Sequence, residues 1–593
     1  MPSSGRTSSV RSHRRGGPRR RFPLGTVLVI VVVLVLGGGV TAGVVLLKKD
    51  SCSGSASANV VVAPRIQTIM AKLANDWAQT NPNVNGVCGS VVISAKESPD
   101  MVTGLANEKW DDSFGAAPDV WVPESSAWVR KASADADAER IMPDLPPSLA
   151  RTPTVIAMPK PLAEAAGMAK APLTWQQIID KLNKPQGWQA YNHGEWGPFK
   201  VGLSNPQEST AGLLALMALS DTDDDGEVSE DEQATLLGLK RVVSLTANNT
   251  AEIFDGLAKA KTDLTYISAF PALEQDVLSY NLHQPPVPVV AVYPQDGTAE
   301  ADFPYLVLNE NAKWSSPQKR AVAGAFLTYA RGPQGKAAFL SAGFRDPNRA
   351  PGPALTSANG VAEKITALPR AILLPESVQH AAASWTAVTR PTNLLLVFDT
   401  SGSMGEVVPG AGKTRLDLTK AAAAGALALL DDSAQVGVWN FSTVAGGKDY
   451  QVVLPLAALS KKTGSTVHRD AVTSAISNLR AGGNTGLYNT AWAACQEVSG
   501  RYQAGAANIV LLLTDGADDN NVAGGLTLDS LVTNLRQSCG DPNKPVSLIT
   551  VGMGRSTDSD ILREISAATK AATFSSPTSF DISQVVLSAL FSS

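Results

Sequence analysis

The pattern of apolar and polar positions divides the chain into one uncharged run and two long stretches in which strands and helices alternate. The run from Phe22 to Leu47 carries no charge and exceeds the ~20 residues that cross a bilayer. Beyond it, Asn59–Ala63 reads as a strand and Pro64–Thr80 as a helix opened by proline. Val87–Ala95 is a second strand, followed by a helix over Pro99–Asn107 capped by Ser98, a strand over Asp119–Val122 and a helix over Ser125–Ala138. This βαβαβ order predicts a parallel, doubly wound sheet of the α/β class. Two later runs echo each other: Thr152–Pro159 reads TPTVIAMP and Val287–Pro294 reads VPVVAVYP, both apolar, β-rich and bounded by proline. A chain that leaves one lobe by one such strand and returns by the other builds two lobes with a paired hinge. The lobes are then 52–150 with 295–368, and 156–286. A proline- and alanine-rich stretch from Arg349 to about Arg390, with 369–390 as linker, precedes 391–593, where alternation resumes; its apolar positions, such as Ile372 to Leu374, suggest that it packs. Strands are expected at Asn393–Phe398, Gln435–Phe441, Val452–Leu456, Asn508–Thr514 and Ser547–Val551. Helices are expected near Arg415–Leu430, His468–Leu479, Tyr488–Ser499, Leu526–Arg536 and Asp558–Ala568. Leu394–Phe398 and Ile509–Leu513, apolar throughout, read as central parallel strands buried on both faces.

Charge fixes the orientation. Residues 1–50 hold seven arginines and two lysines against one aspartate, so they carry +8 of a chain whose net charge is −4, and the remainder carries −12. The arginines of the basic tail (1–21) place that end in the cytoplasm. Residues 22–47 are then an uncleaved transmembrane anchor, and the acidic bulk lies outside the cell. A cleaved signal peptide has a shorter apolar region, about 7–15 residues, and the Ala56-Ser57-Ala58 triplet that resembles a cleavage site lies well past the run. An acidic body gives no reason to expect nucleic acid. The four cysteines, Cys52, Cys88, Cys495 and Cys539, lie on the oxidising side by this reading, where an even number suggests disulfides. Their clustering suggests Cys52 with Cys88 and Cys495 with Cys539; sequence alone leaves the connectivity open.

The candidate chemistry sits at strand ends. Asp399 follows the Leu394–Phe398 run and opens Asp399-Thr400-Ser401-Gly402-Ser403, whose alternate spacing lets three oxygens face one way from a turning loop. Ligands in open α/β sheets bind at such carboxyl ends. Asp515 ends the Ile509–Leu513 strand on the same edge, and Thr485 lies on a glycine-rich loop before a helix. Two carboxylates and three hydroxyls are hard oxygen ligands, suited to Mg²⁺ or Mn²⁺. Gly410 to Thr414 resembles the end of a P-loop, but the required first glycine is replaced by Val407. Residues 221–232 fit the EF-hand pattern, with Asp221, Asp223, Asp225, Glu227, Ser229 and Glu232 as Ca²⁺ ligands and Gly226 at the sharp turn. Ser125, Ser126, Ser209 and Thr210 stand at helix starts, where N–H groups and hydroxyls favour a small anionic solute. Trp121, Trp128, Trp196 and Tyr266 are candidates to line the cleft between the two lobes in which such a solute would sit.

Residues 52–368 resemble a bacterial extracellular solute-binding protein through PDVWVPESSAWV (118–129), SNPQESTAGLLAL (204–216), FPALEQDVLSYN (270–281), YPQDGTAEADFPYLVL (293–308) and GFRDP (343–347). The five metal positions resemble the metal-ion-dependent adhesion site of von Willebrand factor A domains, a resemblance covering 391–593. It implies a Rossmann-like domain and an ion whose open position is completed by a carboxylate of a protein partner. The expected function is therefore a membrane-anchored extracellular binding or adhesion protein. The alternative is a solute receptor that signals ligand state to a partner through the C-terminal domain. An enzyme is not expected: the chain has five histidines, none in HExxH spacing, and no GxSxG elbow.

Overall fold

The computed structural model describes residues 52–107, 110–169, 173–184, 186–221, 225, 227–366, 369–370, 374–409, 412–442, 449–515, 525–553 and 559–576. The expected basic tail and anchor lie outside these residues. Among those described, no helix is long and apolar enough to cross a membrane.

The chain is a mixed α/β molecule in two parts. The first begins with β1 (Ser55–Val62), α1 (Gln67–Gln79), β2 (Val87–Ala95), α2 (Ser98–Leu105), β3 (Val120–Val122), α3 (Ser126–Ala132) and α4 (Ala136–Ile141). β1 pairs in parallel with β2 on one side and β3 on the other. The helix expected over Ser125–Ala138 is broken in two, because the Asp135 carboxylate accepts from the N–H groups of Asp137 and Ala138 and starts a second helix. Ser98 is likewise not a cap. It is the first residue of α2, and its Oγ accepts from the N–H of Glu124.

β4 (Thr152–Pro159) is buried along its whole length. The second lobe then supplies β5 (Val201–Ser204), α5 (Thr210–Ser220), α6 (Glu230–Val242), β6 (Val243–Ala247), α7 (Thr250–Ala260) and β7 (Phe270–Leu273). The return is made by β8 (Val289–Val292), β9 (Thr298–Ala301) and β10 (Leu306–Val307). The two proline-bounded runs meet directly: β4 and β8 pair antiparallel, Ile156 opposite Val292 and Met158 opposite Val290. β9 pairs with the start of β4, and β10 closes the first lobe's sheet against β3. The Cys52–Cys88 disulfide ties the start of the described chain to β2.

The stretch expected as a linker contains α8 (Pro375–Thr389), a helix packed on α3, α5 and α6. It leads directly into the second part: β11 (Thr392–Asp399), α9 (Arg415–Leu429), β12 (Gln435–Phe441), β13 (Tyr450–Ala458), α10 (His468–Asn478), α11 (Leu487–Gly500), β14 (Ala507–Thr514), α12 (Leu528–Gln537), β15 (Ser547–Met553), α13 (Ser559–Ala567) and β16 (Thr573–Ser576). The sheet order is β13-β12-β11-β14-β15-β16, parallel except for β13 at one edge. The apolar run of β11 is explained by its two faces. Leu394, Leu396 and Phe398 join one core layer with Leu427 and Val472, while Leu395 and Val397 join the other with Leu487 and Ala491. Cys495 of α11 and Cys539 form the second disulfide.

Candidate metal centre and interlobe cleft

The central strands β11 and β14 lie side by side with Phe398 opposite Leu513, so Asp399 and Asp515 emerge together at their carboxyl ends. Behind Asp399 the chain turns sharply. The N–H of Ser401 donates to Asp399 Oδ1 at 2.8 Å, and the hydroxyls of Ser401 and Ser403 are 3.0 Å apart. The Ser403 hydroxyl donates to Asp515 Oδ1 at 2.8 Å, and the Thr514 hydroxyl to Asp399 Oδ2 at 2.6 Å. One chain of contacts therefore runs from Asp399 through both serines to Asp515. Two backbone bonds fasten the glycine-rich loop to this turn, Gly402 N–H to the Gly483 carbonyl at 2.9 Å and Gly482 N–H to the Thr400 carbonyl at 2.7 Å. Gly483 has φ +89°, a left-handed backbone that glycine adopts without strain. Thr485 follows on this loop and is buried.

The electrostatics of the set are unbalanced. Asp399 is fully buried. Burial pushes its carboxyl up to about 6, with the Asp515 charge adding to the rise and the bonds from Thr514 and Ser401 opposing it. Among the described residues, no Lys or Arg pairs with Asp399, whereas Asp515 is met by Arg415 Nη1 at 2.5 Å. Two buried carboxylates with the hydroxyls of Ser401, Ser403 and Thr514 beside them and one basic partner fit a hard divalent cation. No group of three or more His, Cys, Asp or Glu side chains gathers in a metal-holding arrangement among the described residues, so a centre here would take its remaining oxygens from hydroxyls. Arg415 and Thr514 were not singled out from the sequence. Arg415 had a signal: a cation in the first turn of a helix opposes the helix dipole.

Between the lobes lies a cavity of about 420 Å³. Ser209 and Thr210 are in its wall, but Ser125 and Ser126 are not. All four hydroxyls are committed internally. Ser125 donates to the Glu300 carbonyl, Ser126 to Asp302, Ser209 bonds with Ser204 and Thr250, and Thr210 accepts from the Trp128 indole at 2.8 Å. The cavity's charge is instead set by Arg65 against Glu97, Glu124, Glu208 and Asp276. Arg65 is already paired with Glu124 and Asp276, and burial and the Glu124 charge push the Glu97 carboxyl up. The expected aromatic lining is absent from this wall: Trp121 and Trp128 are fully buried, Trp196 stacks on His193, and the Tyr266 hydroxyl is packed against Gly256.

In the acidic loop, Asp221 is buried and accepts from the Ser377 hydroxyl of α8. Glu232 accepts from the N–H and hydroxyl of Ser229, closing a capping box on α6. Asp225 accepts from the N–H of Glu227 at 2.8 Å. Asp223 and Gly226 lie outside the described residues. The first and last expected ligands thus each serve a hydroxyl of this chain.

Comparison with known proteins agrees with the two-part architecture. Residues 58–345 match the family model described as bacterial extracellular solute-binding protein, and residues 393–587 match that of the von Willebrand factor type A domain. A Mycobacterium tuberculosis protein described as uncharacterized, known from two strains, is 23% identical over 517 residues, which are 86% of this chain and 72% of that protein. Among solved structures, the chain is similar to a von Willebrand factor type A protein from Catenulispora acidiphila at 20% identity and TM-score 0.27. That match covers 34% of this chain and 42% of the other. It is also similar to the periplasmic binding protein AfuA from Actinobacillus pleuropneumoniae at 10% identity and TM-score 0.36, over 57% of this chain and 96% of that one.

Proposed function

Because the chain joins a bacterial extracellular solute-binding-protein domain to a von Willebrand factor type A domain, we propose that it is a membrane-anchored extracellular binding protein. It grips a protein partner through a divalent ion, Mg²⁺ or Mn²⁺, held by Asp399, Ser401, Ser403, Thr485 and Asp515. The observation that carries this reading is the run of contacts from buried Asp399 through Ser401 and Ser403 to Asp515. A bound ion would supply an electrophile for a carboxylate of the partner; Asp399 and Asp515 would neutralise it, the hydroxyls of Ser401, Ser403 and Thr485 would offer further oxygens, and Thr514 orients Asp399. Anchoring rests on the uncharged 22–47 run and the arginines before it. The test is capture of partners from the cell envelope with Mg²⁺ or with chelator, using the full chain and Asp399→Ala. A partner captured equally by both proteins, or equally with chelator, defeats the proposal.

A second reading, a solute receptor, is favoured by α8. This helix packs on α3 of one lobe and α5 and α6 of the other, then feeds β11, whose far end is Asp399. A solute that closes the lobes thereby acts on the strand leading to the metal residues. With one arginine and four carboxylates in the cleft wall, a solute bearing a cationic group fits better than the anion suggested by the hydroxyls alone. Thermal-shift screening of small amines against small carboxylates tests this, and stabilisation by the carboxylates alone refutes it. The acidic loop is kept as a separate Ca²⁺ site. Terbium luminescence unchanged in a protein carrying both Asp221→Ala and Glu232→Gln removes it.

A further inference from the structure

Arg415 is placed against expectation. It is the first residue of α9, where the exposed N–H groups of a helix already carry positive charge and a cation is disfavoured. Its side chain is nevertheless mostly buried, 16% exposed, and both terminal nitrogens meet partners. Nη1 lies 2.5 Å from Asp515 Oδ2 and 3.3 Å from the Ser403 carbonyl, and Nη2 lies 3.1 Å from Glu406 Oε2. The Arg415 N–H also donates to the Glu406 carbonyl at 3.0 Å. Two of the five candidate metal residues, Ser403 and Asp515, are therefore in direct contact with a fixed positive charge.

The charge balance decides what that guanidinium does. Without an ion it neutralises Asp515, leaving Asp399 with no basic partner among the described residues. With a divalent ion bound, Asp399 and Asp515 would cancel the ion's charge, and Arg415, in contact with Asp515 and Ser403, would become surplus positive charge beside the candidate ligands. Glu406 offsets it only in part, because that carboxylate is 65% exposed and screened by water. A surplus cation repels the metal and attracts an incoming carboxylate. Resting on the metal-site reading above, we infer that Arg415 is a specificity-determining residue: a resident counter-charge that weakens ion binding alone and makes it cooperative with a carboxylate ligand. Ion and carboxylate then each tighten the other's binding by the same factor.

The experiment is calorimetric titration of the full chain with Mn²⁺, with and without acetate as the carboxylate probe. Wild type, Arg415→Gln and Arg415→Lys are compared, with circular dichroism to confirm folding. In Arg415→Gln, Mn²⁺ affinity without acetate is expected to rise about fivefold or more, the scale of one unit charge removed at short range from a partly solvated ion. Acetate is expected to tighten Mn²⁺ binding in wild type and not in Arg415→Gln. Arg415→Lys keeps the charge and is expected to stay close to wild type; Arg415→Met, which also removes the charge, carries the acetate comparison if the glutamine variant does not fold. Wild-type Mn²⁺ binding that is unmoved by acetate, or unchanged or weaker affinity in Arg415→Gln, overturns the inference and leaves the metal site standing. No Mn²⁺ binding by wild type overturns the metal site and the inference with it.

Discussion

At the scale of single residues, Asp346 shows how the N-terminal part holds its buried charges. Burial favours the protonated carboxyl, but the Lys336 ammonium at 2.7 Å and the N–H groups of Ala350 and Asn348 outweigh it and hold the carboxyl below its ordinary value. A folded-state value below the unfolded one contributes stability that is complete above the unfolded value and fades as pH falls toward the folded one. Asp346→Asn is therefore expected to cost about 1–3 kcal/mol at neutral pH in urea unfolding, and its gap to wild type to close below about pH 4. A gap that stays constant down to pH 3 contradicts this. Residues of this kind were only partly legible in the sequence. Asp399, Ser401, Ser403 and Asp515 follow from strand ends and a two-residue spacing, because backbone geometry alone brings them to one edge. Arg415 and the cleft acids do not, because their neighbours are distant in sequence: Arg65 meets Asp276, 211 positions away.

At the scale of elements, α5 crosses β5 so closely that a Cβ on Gly212 would lie 2.1 Å from the Ser204 carbonyl oxygen. In an open helix, glycine to alanine gains up to about 1 kcal/mol. Here the backbone contact reverses the sign, and Gly212→Ala is expected to lose about 1–3 kcal/mol, read as a lower thermal midpoint. A raised midpoint contradicts the crossing. The apolar runs Leu394–Phe398 of β11 and Ile509–Leu513 of β14 were readable because burial on both faces leaves no polar position within them. β16 was not, since its four residues, TFSS, pair only along the edge of β15. The single helix expected over Ser125–Ala138 failed for a local reason, a cap at Asp135 that competes with continuation.

Across the whole molecule, the two parts are joined by a packed helix where composition suggested a linker. Lys240 of α6 is 3% exposed and donates from Nζ to the carbonyls of Ala387, Val388 and Arg390, with Asp431 of the C-terminal part 3.9 Å away. A lysine at a helix C-terminus satisfies carbonyls that the helix leaves open. Lys240→Met is expected to lower stability by about 1–3 kcal/mol and to speed proteolysis at the junction after α8. Equal cleavage rates in the two proteins contradict a role for Lys240 in holding the parts together. The sequence carried part of this: the apolar positions Ile372 to Leu374 pointed to a packed stretch, while its proline and alanine content hid the helix itself.

The most direct measurement is Mg²⁺ titration by calorimetry of the full chain beside Asp399→Ala. The substitution removes a buried carboxylate that has no basic partner among the described residues, so the fold is expected to survive it. A saturable Mg²⁺ site in wild type that disappears in Asp399→Ala is the expected result. Binding of the same affinity and stoichiometry in both proteins contradicts a metal centre at the carboxyl ends of β11 and β14.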